Sequence, residues 1–389
     1  MSTEVFAIYF PSWHPDAHYA KWYGEGFSEW ALVKNNTPLF EGHRQPKEPL
    51  WGFFDESEPE WMEKQIDLAA DHGLTGFIFD WFWYEGEKFL ERALDDGFLH
   101  SANRNRLKFS LMWANHTWGV WPAMSGSQGM SGNENQSGQT LLPMRHSAAD
   151  FEAVIEHCCD RYFNQPNYWR VGGLPAFTLY DLDILIRQLG SQEAAADCLR
   201  RAKAVAERRG FGGLHLVANI GCCDDNEYCC GWGRVAWARK LGFDAVFAYN
   251  IVRSASYKTL PDSMPVYDYS EFMASHQLCW GNIERGGLPH YPSVTLGLDV
   301  SPRWHRGVTF PMDFKKLHYE PVAINNTPEK FGELLAAALE RAKAGAVVVN
   351  AWNEWTEGMY LLPERQHGDA YLKALLKTSG AHKTSPWLV

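Results

Sequence analysis

The sequence predicts one (β/α)8 barrel over residues 1–389, and three observations carry that prediction. Eight strand-like runs alternate with eight helix-like runs. No second block of different composition interrupts the alternation. The first run leads into Pro11-Ser12-Trp13-His14 and not into the Gly-rich phosphate turn of an open, doubly wound sheet.

Residues 5–10 form the first expected strand, stopped by Pro11, with an aromatic loop behind it. Trp61, Met62, Ile66 and Ala69-Ala70 mark one face of an amphipathic helix over 59–72, which Gly73 ends. Strand 76–80, helix 88–99 and strand 109–113 follow. A Gly/Ser/Asn-rich stretch without periodicity, 125–139, reads as an exposed loop over one end of the fold. Next come helix 148–162, strand 175–181, helix 193–209 closed by Gly210, strand 214–219 and helix 234–241. The order then runs through strand 245–250, helix 270–280, strand 293–299, helix 328–343, strand 346–351 and helix 369–377. Val347-Val348-Val349 is continuously apolar, as a parallel strand buried on both faces requires.

Composition narrows the function. Hydrophobic residues make up 46% and charged residues 21%, which supplies a sizeable core. Tryptophan occurs 18 times, an excess for plain core filling because each buried indole N–H needs a partner. Tryptophans clustered near loops favour a binding surface for sugars or another flat ligand. The net charge of -11 argues against nucleic acid as a partner. No apolar run reaches membrane-spanning length, and Met1 leads into a strand-like segment without a basic leader or cleavage site. A cytoplasmic protein without a membrane span is therefore expected. The adjacent pairs Cys158-Cys159, Cys222-Cys223 and Cys229-Cys230 are unsuited to unstrained disulfides. Cys222 to Asp225 with Cys229-Cys230 fits a metal cluster or, the expectation here, thiols in a core or loop.

Chemistry in such a barrel gathers at the C-terminal ends of the strands. Those positions offer Tyr9, Trp13 and His14; Asp80 and Trp81; Trp113, Asn115, His116 and Trp118; then Tyr180, Tyr249, Asp299, Trp352, Asn353, Glu354 and Glu357. Aromatic faces suit the C–H-rich surface of a sugar ring, and amides and carboxylates suit its hydroxyls. Glu354 and Glu357 stand three apart, a spacing that puts both carboxyls on one side of a turn. Paired carboxylates in unequal environments are the minimum equipment for cleaving a glycosidic bond. The same spacing also fits a helix N-terminus flanked by core tryptophans. His14, His116, Asp80 and Asp299 lack any local His-x-x-x-His spacing, so neither a metal nor a cofactor is expected. Asp181-Leu182-Asp183 is the candidate for the metal-binding Asp-x-Asp of a nucleotide-sugar transferase, and it is expected to be a loop or helix cap.

The segments Tyr9-Phe10-Pro11-Ser12-Trp13-His14, Gly26-Phe27-Ser28-Glu29-Trp30 and Trp113-Ala114-Asn115-His116-Thr117-Trp118 resemble the WbsX-type, glycoside hydrolase family 99-like domain. Leu298-Asp299-Val300-Ser301-Pro302-Arg303 and the run from Asn350 through Trp352-Asn353-Glu354-Trp355-Thr356-Glu357 to Gly358 are similar to its later motifs. The resemblance covers nearly the whole chain. It implies a (β/α)8 fold and a metal-independent, retaining glycoside hydrolase acting on an α-linked, mannose-type or related glycan. By position it implies Glu354 as base and Glu357 as general acid. In that family the base deprotonates the sugar's own 2-hydroxyl, which attacks the anomeric carbon, and water opens the resulting anhydro-sugar. The resemblance also leaves room for a transglycosylase or glycosyltransferase of polysaccharide synthesis, or a carbohydrate-binding protein without catalysis.

Overall fold

The structure is a computed structural model and describes residues 3–120, 140–221, 232–251, 258–259, 265–303 and 322–380. The expected loop 125–139 and the Cys222–Cys230 cluster lie outside the described residues. Eight parallel strands form the barrel: β1 (Glu4–Tyr9), β2 (Gly76–Tyr84), β3 (Lys108–Trp113), β4 (Leu174–Leu179), β5 (His215–Asn219), β6 (Ala245–Phe247), β7 (Ser293–Thr295) and β8 (Ala346–Asn350). Neighbours in sequence pair in parallel from β1 through β6, while β8 pairs with both β1 and β7. Between β6 and β7 the ring is completed by two backbone bonds: Val246 N–H donates to Pro289 and Tyr291 N–H donates to Val246, each at 2.9 Å.

Side-chain parity divides each strand between two cores. Phe6, Ile8, Ile78, Met112, Val217, Phe247 and Val348 fill the barrel interior. Val5, Ala7, Tyr9, Phe77, Phe79, Trp81, Phe109, Leu111, Trp113, Val347 and Val349 face the helices instead. The alternation follows from the pleat, which turns successive side chains to opposite faces. Both faces are covered, so every residue of β2 and β8 is buried.

Helices Pro59–Asp71, Ala148–Arg161, Gln192–Arg208, Tyr269–Arg285, Pro328–Arg341 and Ala370–Ser379 fall where the periodicity puts them, and Trp232–Leu241 likewise. Side-chain caps fix several starts, as where Ser147 Oγ accepts from Asp150 N–H at 3.0 Å. One expected helix is replaced. Over 88–99 the chain first returns along β2 as an antiparallel strand, Glu87–Phe89, pairing Phe82 with Phe89 and Tyr84 with Glu87. Glu85 and Gly86, at φ 50° and 96°, make the two-residue turn that such a hairpin favours. Only Ala93–Phe98 is helical there, as a π-turn. The aromatic run Trp81-Phe82-Trp83-Tyr84 prolongs the strand, since such side chains pack better on a pleated surface than in a helix. An additional helix, Leu182–Leu189, begins at Asp181, whose Oδ1 accepts from Ile184 N–H at 2.9 Å. The Asp-x-Asp candidate is thus a helix cap, and its second carboxylate, Asp183, pairs with Arg234. Cys158, Cys159, Cys198 and Cys279 are buried free thiols. No helix among the described residues is long and apolar enough to cross a membrane.

Candidate active site

At the C-terminal end of the barrel lies a cavity of about 230 Å³. Phe10 follows β1, Asp80 and Phe82 stand on β2, and Ala114, His116 and Trp118 follow β3. Tyr180 follows β4, Tyr249 follows β6, Arg303 follows β7, and Glu354 and Glu357 follow β8. Strand parity selects these residues: Phe10 continues the inward series Phe6, Ile8, and Phe82 continues Ile78, Asp80.

Charge in the cavity is concentrated on one guanidinium. Arg303 Nη2 donates to Glu354 Oε1 at 3.0 Å, Nη1 donates to Glu357 Oε1, and Glu29 Oε2 lies 3.7 Å from Nη2. Asp80 faces the same group, and its Oδ1 is buried without a hydrogen-bond partner among the described residues. Several carboxylates thus share one cation in a water-poor space. Burial raises the Glu354 carboxyl well above its usual range; Arg303 opposes this, while Glu357, Glu29 and Asp80 reinforce it. Asp80 is also raised, by burial and then by Glu357. The Thr356 hydroxyl lies 2.7 Å from Glu29 Oε2 and 2.9 Å from Glu354 Oε1. A hydroxyl carries a single proton, so making both contacts hydrogen bonds requires a proton on one of these carboxyls. Glu357 differs in access: its side chain is 19% exposed, against 1% for Glu354.

Aromatic and imidazole groups make up much of the rest. Tyr180 and Tyr249 meet edge to face at 5.4 Å, and His116 stacks over Trp118 at 6.0 Å. Burial lowers the His116 pKa, which favours a neutral imidazole. Among the described residues no group of three or more His, Cys, Asp or Glu is arranged to hold a metal ion.

The family described as glycosyltransferase WbsX matches residues 5–375. The chain belongs to the WbsX family. Two proteins named WxcX, from Xanthomonas campestris pv. campestris strains B100 and ATCC 33913, are each 30% identical over 95% of this chain. This WbsX chain spans about half the length of those relatives, 48% in each case. Among solved structures, the GH99 endo-alpha-mannosidase from Bacteroides thetaiotaomicron aligns with TM-score 0.56 and 13% identity, covering 97% of this chain and 96% of that one. A glycoside hydrolase-like protein aligns with TM-score 0.60, also at 13% identity, covering 97% and 94%. At that identity the likeness establishes the barrel fold.

Of the residues singled out in the sequence, Asp80, His116, Trp118, Tyr180, Tyr249, Glu354 and Glu357 meet in the cavity of this WbsX barrel. The others do not line it. Trp81 and Trp113 have the outward parity and pack against the helix layer, Trp113 beside Phe151. Trp352 packs on Phe77 and donates its indole N–H to Gln65 at 2.8 Å. Tyr9, Trp13, His14 and Asn353 converge on Glu56, a buried carboxylate not singled out in the sequence. Its oxygens accept from Tyr9 O–H at 2.7 Å, Trp13 N–H at 2.7 Å and Asn353 Nδ2 at 3.4 Å, and His14 Nδ1 lies at 3.1 Å. Asn353 also brackets the Phe10 peptide, accepting from its N–H at 2.8 Å and donating to its C=O at 2.9 Å. Asn115 does the same to Asp181, at 2.7 and 2.9 Å. A carboxamide presents one donor face and one acceptor face, as a peptide does, so asparagines at strand ends serve as clamps between neighbouring loops. Asp299 faces a second cavity, described below.

Phe10, Phe82, Ala114 and Arg303 line the site without having been predicted. Parity would have found Phe10 and Phe82, two residues beyond Ile8 and Asp80. Arg303 ends the Leu298–Arg303 motif, but its role there is not legible, because only the folded loop after β7 brings it over the two glutamates.

Proposed function

We propose that this chain is a carbohydrate-active enzyme that cleaves an α-linked, mannose-type or related glycan with retention of configuration. The observation that carries the reading is the placement of Glu354 and Glu357 on neighbouring nitrogens of one guanidinium, inside an aromatic-lined cavity at the catalytic end of a barrel.

Glu357 is the general acid in this scheme. It is the more accessible carboxyl, and an acid must reach the leaving oxygen between two sugars. Glu354 is the base that takes the proton of the sugar's 2-hydroxyl as that oxygen attacks the anomeric carbon. Its buried position suits a partner inside the cavity, and Arg303 and the Thr356 hydroxyl stabilise its ionised form. The anomeric C–O bond breaks as Glu357 delivers its proton. Water then opens the anhydro-sugar, with Glu357 taking the water proton and Glu354 returning its own to O2. The unpartnered Oδ1 of Asp80 is an acceptor for a sugar hydroxyl, and Tyr180, Tyr249 and Trp118 supply ring faces. The GH99 endo-alpha-mannosidase among the similar folds supports this substrate class.

The family's description favours a second reading, transfer to an acceptor sugar in place of water. The same two carboxyls serve it. Incubation with α-mannooligosaccharides, with products followed by NMR, separates these outcomes. Hydrolysis gives shortened chains whose first-formed anomer is α, and transfer gives lengthened ones. Absence of either product across α-linked glycans contradicts the proposal.

A further inference from the structure

A second cavity, of about 280 Å³, lies behind the turn that carries the two glutamates. The wall between the cavities is thin. Asp299 N–H donates to the Glu357 carbonyl at 2.6 Å, and Asp299 and Gly358 line the second cavity. Gly358, at φ 68°, admits no larger residue, since a Cβ there would stand 2.8 Å from Asp299 Cβ.

The charge arrangement here is unlike that of the catalytic cavity. Arg44 and Lys47 stand at its lining, and neither makes a direct ion pair among the described residues, although the Lys47 charge is felt by Asp299. Cations nearby are paired: Arg365 with Glu48 at 2.6 Å and Lys330 with Asp268 at 3.3 Å. The carboxylate that does line the cavity is already engaged. Asp299 Oδ2 lies 2.8 Å from His43 Nε2 and accepts from Gln45 Nε2 at 2.6 Å. Leu39 N–H donates to His43 Nδ1 at 3.0 Å, so Nε2 carries the imidazole proton and points it at Asp299. Burial would raise the Asp299 carboxyl, but the His43 hydrogen bond and the Lys47 charge hold it at about 2. Glu364, behind His367, is occupied by the backbone N–H groups of Gln366 and His367. Tyr360, on the same wall, lies flat on Trp355 at 3.8 Å, which fixes an aromatic face beside the cations.

We infer that this cavity binds an anionic saccharide unit, a sugar bearing a carboxylate or a phosphate, with Arg44 and Lys47 as its counter-charges. The saccharide class rests on the proposed function, whereas the anion preference rests on the cavity alone. Its place behind Glu357 makes it a site for a charged unit of the same glycan, or for a charged donor or acceptor sugar.

The test is a ligand-observed NMR titration of the full chain with glucuronate, glucose 6-phosphate and glucose. It is run on the wild type, on Glu357→Gln, and on the double variant Arg44→Gln/Lys47→Gln. Both cations are at or near the surface, so the double variant keeps the fold, checked by its unchanged melting temperature. Glucuronate or glucose 6-phosphate should bind the wild type and Glu357→Gln alike, with glucose weaker. The double variant should weaken the anionic ligand about tenfold or more, the scale expected for lost charge-assisted bonds. Which of the two anions binds identifies the carboxylate or the phosphate as the group recognised. Equal binding of glucose, no binding of either anion, or unchanged affinity in the double variant overturns the inference. Absence of glycan cleavage by the wild type, with anion binding intact, would count against the proposed function alone.

Discussion

Two buried glutamates at the top of the barrel, Glu56 and Glu354, contrast a carboxylate enclosed by donors with one proposed to act on substrate. Glu56 is surrounded by donors from the loop after β1 and the turn after β8, with Tyr9, Trp13, His14 and Asn353 all directed at it. His14, Trp13 and Tyr9 oppose the burial that raises its carboxyl. Glu354 shares a single guanidinium with Glu357 and lies among further carboxylates, with a cavity in front of it. Among the described residues, carboxylates outnumber cations there. Such an excess destabilises the free protein and is useful only where a proton must be held and then moved.

Substitutions should divide along the same line. The largest effects are expected at the excess-charge site. Glu354→Gln or Glu357→Gln should lower kcat/KM on a glycan by roughly a hundredfold to ten-thousandfold, the range for losing a positioned acid or base. Neither should lower the melting temperature appreciably, and a large fall in both measurements would erase the distinction. Glu56→Gln should do the reverse, costing about 2–4 kcal/mol in denaturant unfolding because buried donors lose their acceptor. A stable Glu56→Gln protein that is catalytically dead would place Glu56 with the chemistry.

A smaller effect, of opposite sign, is expected at Asp80. Its carboxyl is raised in the folded state, chiefly by burial and then by Glu357. A raised group favours folding when protonated, and that contribution is lost as pH rises through the folded pKa. Asp80→Asn should therefore stabilise the protein by about 1–2 kcal/mol at pH 7. The gain should vanish in acid, below the ordinary carboxylate value of 3.8. Activity should fall, since an acceptor for a sugar hydroxyl is lost. The pH profile sharpens the comparison further. Burial raises Glu354, so the acid limb of kcat/KM should lie above the ordinary glutamate value of 4.5. Removing the Asp80 charge should move what remains of that limb to lower pH. Smallest of all, Thr356→Val should cost about tenfold in kcat/KM, the scale of one hydrogen bond to a charged group. A limb unmoved by Asp80→Asn would show that these carboxyls do not sense one another.

The barrel was legible in the sequence because strand–helix alternation is local and repeats. Strand parity was equally available but was not applied at the strand ends, which is why Trp81 and Trp113 were expected to meet a ligand and pack against helices instead. The error over Tyr9, Trp13, His14 and Asn353 has another source. A list of strand-end residues cannot reveal that their shared partner is Glu56, 42 to 297 residues away. Residue type misled at Asn115 as well, because an amide that suits a sugar hydroxyl suits a peptide equally. Glu354 and Glu357 stood out as a candidate pair because both belong to one short turn. Arg303, which joins them, lies 51 residues before Glu354.

The central claim is that the two glutamates divide the work, and leaving-group dependence tests it most directly. Wild type, Glu357→Gln and Glu354→Gln should be compared on an α-linked oligosaccharide and on an aryl glycoside of the same sugar whose leaving group needs no proton. Glu357→Gln should lose the oligosaccharide and retain the aryl glycoside, while Glu354→Gln should lose both. Cleavage of the oligosaccharide by Glu357→Gln at the wild-type rate, or of either substrate by Glu354→Gln, would contradict the account.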